Sequence, residues 1–353
     1  MSGIKTIKIG DRLVGKGQPV FVIAEAGVNH NGRLSLALKL VDAAKKAGAD
    51  AVKFQDFKAG EVVTEEGKMA GYQKRNTGKN ESQLEMLKTF ELSAKDWRKI
   101  AAYCRKKNVI FLSTPHGGFA SVDRVRKLGA PAFKFGSGDL TNLPLLEYAA
   151  RFKKPMIIST GMATMKEIEE AVAFVKKAGN DKIIVLQCTT DYPAKNKEIN
   201  LRAMETMRRK LKTLVGFSDH TLGTLASLAA VSLGASAIEK HMTLSKKLPG
   251  PDQKASLEPD EFKLMTEKIR QIPVILGSAL KKPMPSELAY RPLVRKSIVA
   301  FRNIRKGEKL SLKNLAIKRP GTGLQPKFLS KVLGKTAKKN IAKDNFIRWG
   351  VIK

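Results

Sequence analysis

Acidic residues are scarce in this chain: 32 Asp and Glu stand against 66 Lys and Arg over 353 residues, a formal excess of 34 positive charges. Cysteine is scarcer, with only Cys104 and Cys188. A disulfide-stapled scaffold is therefore excluded, and both thiols, set in segments that read as buried helix and buried strand, are expected to be reduced core residues of a cytoplasmic protein. Aromatic residues amount to 6 %, which deprives a single-strand nucleic-acid binder of its stacking platforms. No run of 18 apolar residues occurs, and the start MSGIKTIKIGDRL lacks the apolar stretch of a signal peptide. Neither membrane insertion nor secretion is expected.

An apolar fraction of 42 % at this length can bury a large core and rules out a disordered polyelectrolyte. The charge is unevenly spread. Residues 281–353 hold 20 Lys and Arg against 3 Asp and Glu, so a fifth of the chain carries half the excess. The prolines of Lys281-Lys282-Pro283-Met284-Pro285 discourage regular structure and mark a boundary. The expected organisation is a large domain over 1–280, a linker over 281–293 and a small basic domain over 294–353.

Within the first 280 residues, β-branched runs recur and are each followed by an amphipathic stretch of helical period. Eight can be counted: 19–27, 51–55, 109–115, 132–138, 155–161, 183–189, 214–219 and 237–244. Helical patterns over 34–48, 93–108 and 164–179 separate some of them, with Ser or Thr in capping positions and Gly at C-terminal ends. Nearly all-apolar strands alternating with helices predict a parallel sheet covered on both faces, and eight of them predict a (β/α)8 TIM barrel. An open doubly wound sheet is the alternative, but no G-x-G-x-x-G follows the first strand.

A barrel of this kind carries its chemistry at the C-terminal ends of its strands. Read in order, those ends present Glu25, then Lys53 and Gln55, Thr114 before His116, Lys134 and Ser137, Ser159, Thr190 and Tyr192, Ser218 and His220, and Glu239 and His241. All four histidines lie at or just after strand ends. His220 and His241 fall on neighbouring strands, and two imidazoles with open remaining positions suit a catalytic divalent metal such as manganese or zinc. His30 and His116 are left as substrate-side or structural. Lys53 and Lys134 stand inside apolar strands, where an unpaired ammonium is costly. With Gln55, Thr114, Ser137, Ser159 and Ser218 they make a donor cluster suited to a phosphate or carboxylate; a Schiff-base lysine or internal salt bridges with Glu25 or Glu239 are the other readings.

The segments IAEAGVNHNG (23–32), AVKFQ (51–55), FLSTP (111–115), PAFKFGSGDLTNLPLL (131–146), MIISTGM (156–162), GFSDHTLG (216–223) and IEKHMTL with LPGPDQKASLEPDEF (238–262) resemble, in order, the sialic acid synthase family of phosphoenolpyruvate-dependent nonulosonate synthases. Residues 294–353 are similar to the antifreeze-like (SAF) domain at the C-terminus of these enzymes. The resemblance implies condensation of phosphoenolpyruvate with an N-acylated hexose, such as N-acetylmannosamine or a di-N-acetyl trideoxyhexose, to give a nonulosonic acid and phosphate. It implies that His220 and His241 bind a divalent metal, Mn2+ first and Mg2+ or Co2+ as alternatives. It makes Lys53, Gln55, Thr114, Lys134, Ser137, Ser159 and Ser218 the phosphoenolpyruvate contacts and Glu25 a general base on the sugar hydroxyl or the attacking water. Gln55, Thr190, Tyr192 and Asp252 would face the sugar, joined by Arg319 from the neighbouring subunit of a domain-swapped homodimer.

Some positions depart from the family pattern: Gln253 where many members have His, Lys195 where many have Pro, His116-Gly117-Gly118 in place of Phe-Asp, and Thr190 in place of Asn. These leave the phosphoenolpyruvate and metal sets intact and open the identity of the sugar. Two competitors remain. The charge excess is the footprint of a nucleic-acid binder, though no recognition motif accompanies it. A related phosphoenolpyruvate-condensing barrel acting on an aldose phosphate would need a second phosphate site, and the strand ends offer no spare arginine cluster.

Overall fold

The structure is a computed structural model that describes residues 6–78 and 80–353. The chain divides into two compact units, Met1–Gly277 and Ser278–Lys353.

The first unit opens with an antiparallel hairpin, β1 (Thr6–Ile9) and β2 (Arg12–Gly15). Eight strands follow: β3 (Phe21–Gly27), β4 (Ala51–Asp56), β5 (Ile110–Pro115), β6 (Phe133–Phe135), β7 (Met156–Ser159), β8 (Ile183–Cys188), β9 (Leu214–Asp219) and β10 (Ala237–His241). They form one parallel sheet in the order β5-β4-β3-β10-β9-β8-β7-β6. The two ends, β5 and β6, pack side by side without a hydrogen-bonded ladder. The sheet thus curls into a nearly closed TIM-type barrel, built from all eight runs expected from the sequence.

Alternation along each strand sorts the side chains. Val22, Val52, Phe111, Phe133, Val185 and Phe217 point outward into the main core against helices such as Leu34–Lys46, Ala94–Lys106 and Met165–Lys177. The last two of these helices start on Ser93 and Thr164, whose hydroxyls accept from the amides of Asp96 and Glu167. Ile23, Ala51, Leu112, Ala132, Ile157, Ile184 and Ala237 point inward and form a separate core that also takes Ile7, Ile9 and Val14 of the hairpin. The hairpin, which sequence periodicity did not reveal, therefore plugs the N-terminal end of the barrel.

One buried ion pair ties the last two barrel strands together. Lys240 Nζ lies 3.0 Å from Asp219 Oδ2, both side chains fully enclosed. Asp219 also accepts from Thr221 N and Oγ1 and from Ser227 Oγ, and Lys240 donates to Thr221 O. Every charge is thus compensated.

The second unit contains β11 (Ser297–Ala300) paired antiparallel with β12 (Leu315–Lys318) over a small core of Ile298, Ile304, Leu310, Val332, Ile341 and Ile347. The segment read as a linker holds two short helices, Pro285–Leu288 and Arg291–Val294. Pro285 and Pro292 sit in the first turns, where proline has no amide to sacrifice, so they start helices rather than prevent them.

Asp219→Ala leaves Lys240 buried and unpaired, and should lower the unfolding free energy by about 3–5 kcal/mol. Urea denaturation measures it; a loss below about 1 kcal/mol would mean that Lys240 finds another partner.

Candidate active site

Above the apolar filling, the next inward positions are all polar. Glu25, Lys53, Thr114, Lys134, Ser159, Cys188, Ser218 and Glu239 follow by two residues, or four past Gly216, the inward apolar residues below them, and His241 stands two past Glu239. With Gln55, His116, Ser137, Thr190, Tyr192 and His220 they line a cavity of about 170 Å³. Gly216 takes the inward place on β9 because a Cβ there would lie 2.4 Å from Ala237 O.

The floor of this cavity is a charge network. Lys53 Nζ lies 2.7 Å from Glu25 Oε2 and 3.8 Å from Glu239 Oε2, and donates to Thr114 Oγ1 at 3.0 Å. Lys134 Nζ lies 3.4 Å from Glu239 Oε1 and donates to Ser159 Oγ at 2.8 Å. Gln55 Nε2 donates to Glu25 Oε1 at 2.9 Å, and Ser218 Oγ to Glu239 Oε1 at 3.1 Å. The internal salt bridges that the sequence left as an alternative are therefore present, and they hold the lysines inside the same donor cluster.

Burial alone would discharge such groups. It is outweighed at Lys53 by Glu239 and Glu25, so that ammonium stays charged, and at Glu239 by Lys134 and Lys53, which hold its carboxyl below the ordinary range. At Glu25 burial wins, aided by the charge of Glu239, and raises the carboxyl. Burial likewise lowers Lys134.

The two imidazoles meet on the opposite side, just after β9 and at the end of β10, with ring centroids 5.4 Å apart. His220 Nδ1 lies 2.7 Å from Thr189 O, which assigns a proton to Nδ1 and turns Nε2 toward Ser218 Oγ, 3.5 Å away in the cavity. Burial and the neighbouring His220 hold His241 well below the usual range, and its Nδ1 is buried without a hydrogen-bond partner. At His220 burial is outweighed by Cys188, Thr189 O and Glu239, which raise its imidazole; a divalent cation would take the place of that added proton, so His220 and the unpartnered His241 fit one. Among the described residues no group of three or more His, Cys, Asp or Glu is arranged around a metal, so water and substrate oxygen would complete the shell. Tyr192 covers His220 with its ring centroid 4.0 Å away and stacks in turn on Tyr72, 5.0 Å away.

Thr190 and Tyr192 line the cavity; Asp252 is buried beyond it, its carboxyl raised to about 7 by burial and by Glu25. Arg319 belongs to the second unit and is exposed. His30 is structural: it is enclosed between Phe54 and Trp97, with centroids at 6.1 and 6.4 Å. Cys188, read from the sequence as a core thiol, is buried but faces the cavity, where it accepts from Ser137 Oγ at 3.5 Å. The strand-end rule would have found it. Asp139, one turn past β6, was also missed; it lies 3.7 Å from His116.

Residues 40–281 match the model of the NeuB family, and residues 295–352 that of the SAF domain. The chain belongs to the NeuB family. It is similar to the N,N'-diacetyllegionaminic acid synthase of Campylobacter jejuni, with 48 % identity covering 93 % of this chain and 98 % of that one. The enzyme of the same name from Legionella pneumophila is 44 % identical over 95 % of each chain. The crystal structure of the N-acetylneuraminic acid synthetase of Leptospira borgpetersenii, in complex with citrate, superposes with a TM-score of 0.72 at 34 % identity, covering 81 % of this chain and 96 % of that one.

Gln253, one of the departures from the NeuB pattern, is fully buried and donates to Asn31 Oδ1 at 2.9 Å, while Asn31 donates to Pro249 O at 2.8 Å. Asn29 similarly donates to Met242 O and Ser256 Oγ. The NHNG segment thus laces the loop after β3 to the loop after β10. Gly161 has the opposite task, leaving room: its amide donates to Ser137 Oγ at 2.9 Å, and a Cβ there would stand 2.1 Å from Thr190 Oγ1 and 2.7 Å from Ser137 Oγ. Gly161→Ala should therefore turn both hydroxyls out of place without unfolding the barrel. Phosphoenolpyruvate binding by calorimetry is expected to weaken about tenfold, or 1.4 kcal/mol, with an unchanged melting temperature; unchanged binding would remove these hydroxyls from the site.

Proposed function

We propose that this NeuB-family enzyme is a transferase that condenses phosphoenolpyruvate with an N-acylated hexose and water, giving a nonulosonic acid and phosphate. The observation that carries the reading is the division of the cavity. Both lysines and most hydroxyl donors come from β4 to β7 on one side, Ser218 on β9 excepted, and paired imidazoles from the ends of β9 and β10 on the other, so that an anion and a carbonyl can be held face to face. The sugar we assign is a di-N-acetyl trideoxyhexose. The higher identity to the diacetyllegionaminic acid synthases than to the neuraminic acid synthetase supports it, as does Thr190 in place of the family's Asn. N-acetylmannosamine is the second candidate.

In this reading Lys53, Lys134, Thr114, Ser137, Ser159 and Ser218 hold the phosphate and carboxylate of phosphoenolpyruvate through charge-assisted hydrogen bonds. Both lysines must loosen from their carboxylates to do so, which aims their charge before substrate arrives. A divalent cation held by His220 and His241, manganese in our reading, supplies Lewis acidity to the sugar aldehyde when bound. Gln55, Thr190, Tyr192 and Asp252 orient the sugar, and Glu25, between Lys53 and Gln55, manages the proton of its hydroxyl. C3 of the enol attacks the aldehyde carbon, positive charge develops at C2, water adds there, and phosphate departs with C–O cleavage.

A homodimer, with Arg319 contributed by the second copy, completes the proposal. It is supported by apolar side chains left in solvent: Val274 and Ile275 at the end of helix Pro259–Leu276 are 81 % and 78 % exposed, and in the second unit Leu288, Tyr290 and Leu293 are exposed as well.

Incubation with phosphoenolpyruvate, Mn2+ and a panel of N-acylated hexoses should release phosphate and yield a product of the corresponding nonulosonic mass; no phosphate release with any of them would refute the reading. His220→Ala and His241→Ala are expected to abolish metal-dependent turnover in a folded protein, and full activity in either would sink the metal assignment. Deleting residues 283–353 should leave a folded barrel with little activity. A fully active truncated monomer would contradict the role of Arg319.

A further inference from the structure

The mechanism above leaves open which group takes the proton from the water that adds at C2. Glu25 is already assigned to the sugar hydroxyl, and stands on β3, next to the imidazole-bearing strand β10. Among the described residues, the phosphate side of the cavity holds one imidazole, His116, which sits in the turn after β5 and lines the cavity with Lys53, Lys134 and Ser137.

His116 occupies a distinctive place in the fold. β5 and β6 are the two strands that meet without a ladder, and across that seam His116 Nδ1 faces Asp139 Oδ2 at 3.7 Å. Gly136, just past β6, lies close beneath the ring: a Cβ there would stand 3.3 Å from His116 Cε1 and 4.0 Å from Nε2. The ring is thus seated over the β6 turn, one nitrogen toward a carboxylate and the other end beside the residue that follows Lys134 and Phe135.

A carboxylate at Nδ1 favours the proton on that nitrogen and leaves Nε2 the lone pair, the arrangement by which acids orient histidine bases. The gap of 3.7 Å is wider than a hydrogen bond, as such contacts often are before substrate tightens them. From this placement, and resting on the condensation reading above, we infer that His116, oriented by Asp139, is the catalytic base for the water that adds to C2 of phosphoenolpyruvate.

The protons balance. As the water oxygen bonds to C2, Nε2 takes one of its protons; as the C2–O bond to phosphate breaks, its electron pair leaves on the phosphate and the imidazolium returns that proton to the departing oxygen. The carbonyl forms as the new hydroxyl releases its second proton, matching the proton gained by the sugar alkoxide. Burial, Lys53 and Lys134 lower the imidazole to about 3, so it is neutral before substrate arrives. An anion between those lysines offsets their charge and raises the basicity of the ring when it is needed.

His116→Gln keeps a polar side chain of similar reach but no base. It should lower kcat for phosphate release about 100-fold or more while phosphoenolpyruvate affinity by calorimetry stays within about threefold. His116→Ala should be equally slow and recover activity with added imidazole, which a purely structural residue would not allow. A His116→Gln enzyme with kcat near wild type, a loss confined to KM, or a folded His116→Ala enzyme that imidazole fails to rescue would overturn the assignment. Absence of phosphate release by the wild-type enzyme would instead overturn the condensation reading on which it rests.

Discussion

Two ammonium groups inside a barrel are the constraint around which the site is built. Neither Lys53 nor Lys134 could remain charged there alone, and the pair could not remain charged together. Glu239 lies within 3.8 Å of both, and Glu25 within 2.7 Å of one. Two cations and two anions make a compensated floor, which is why the interior tolerates it. The compensation is also a preparation. A phosphate and carboxylate can replace the two glutamates as partners, and little reorientation of the donors is then required.

The floor exists because strand alternation lets a single barrel be filled twice. Each strand gives its lower inward positions to Ile, Leu, Ala or Phe and its upper ones to Lys, Glu, Ser, Thr, Cys or His, while the outward set stays apolar between sheet and helices. The hairpin seals the lower layer with Ile7, Ile9 and Val14. Water is therefore kept from the bottom of the site, and chemistry is confined to one end. Lys240 shows the same rule from outside: one residue from Glu239 and from His241, it points away from the cavity and pairs with Asp219 instead.

Much of this was legible in the sequence, for physical reasons. Eight apolar runs with helical spacers specify a parallel barrel, and polar residues inside such runs have few places to go but its open end; Lys53, Lys134, His220 and His241 were readable on those grounds alone. What escaped was contact across sequence distance. The hairpin is too short and too polar on its outer face to declare itself. Cys188 reads as apolar filling because cysteine usually is. Asp139 and His116 take on meaning only when β5 and β6, 18 to 23 residues apart in the chain, come to lie side by side at the seam. Pro285 misled because a proline that breaks a helix interior also begins a helix well.

The compensated floor finally bears on the charge of the whole molecule. Since Lys53 and Lys134 are matched by Glu25 and Glu239, the site contributes almost nothing to the excess of 34. That excess resides elsewhere, half of it in residues 281–353. A field of that kind acts at a distance, drawing an anion toward the protein with a strength that fades over about 8–10 Å of salt solution. Selection among anions has to come from short-range groups. Placement inside the barrel does what total charge cannot: it holds two cations dry, neutral in sum, and aimed at one point.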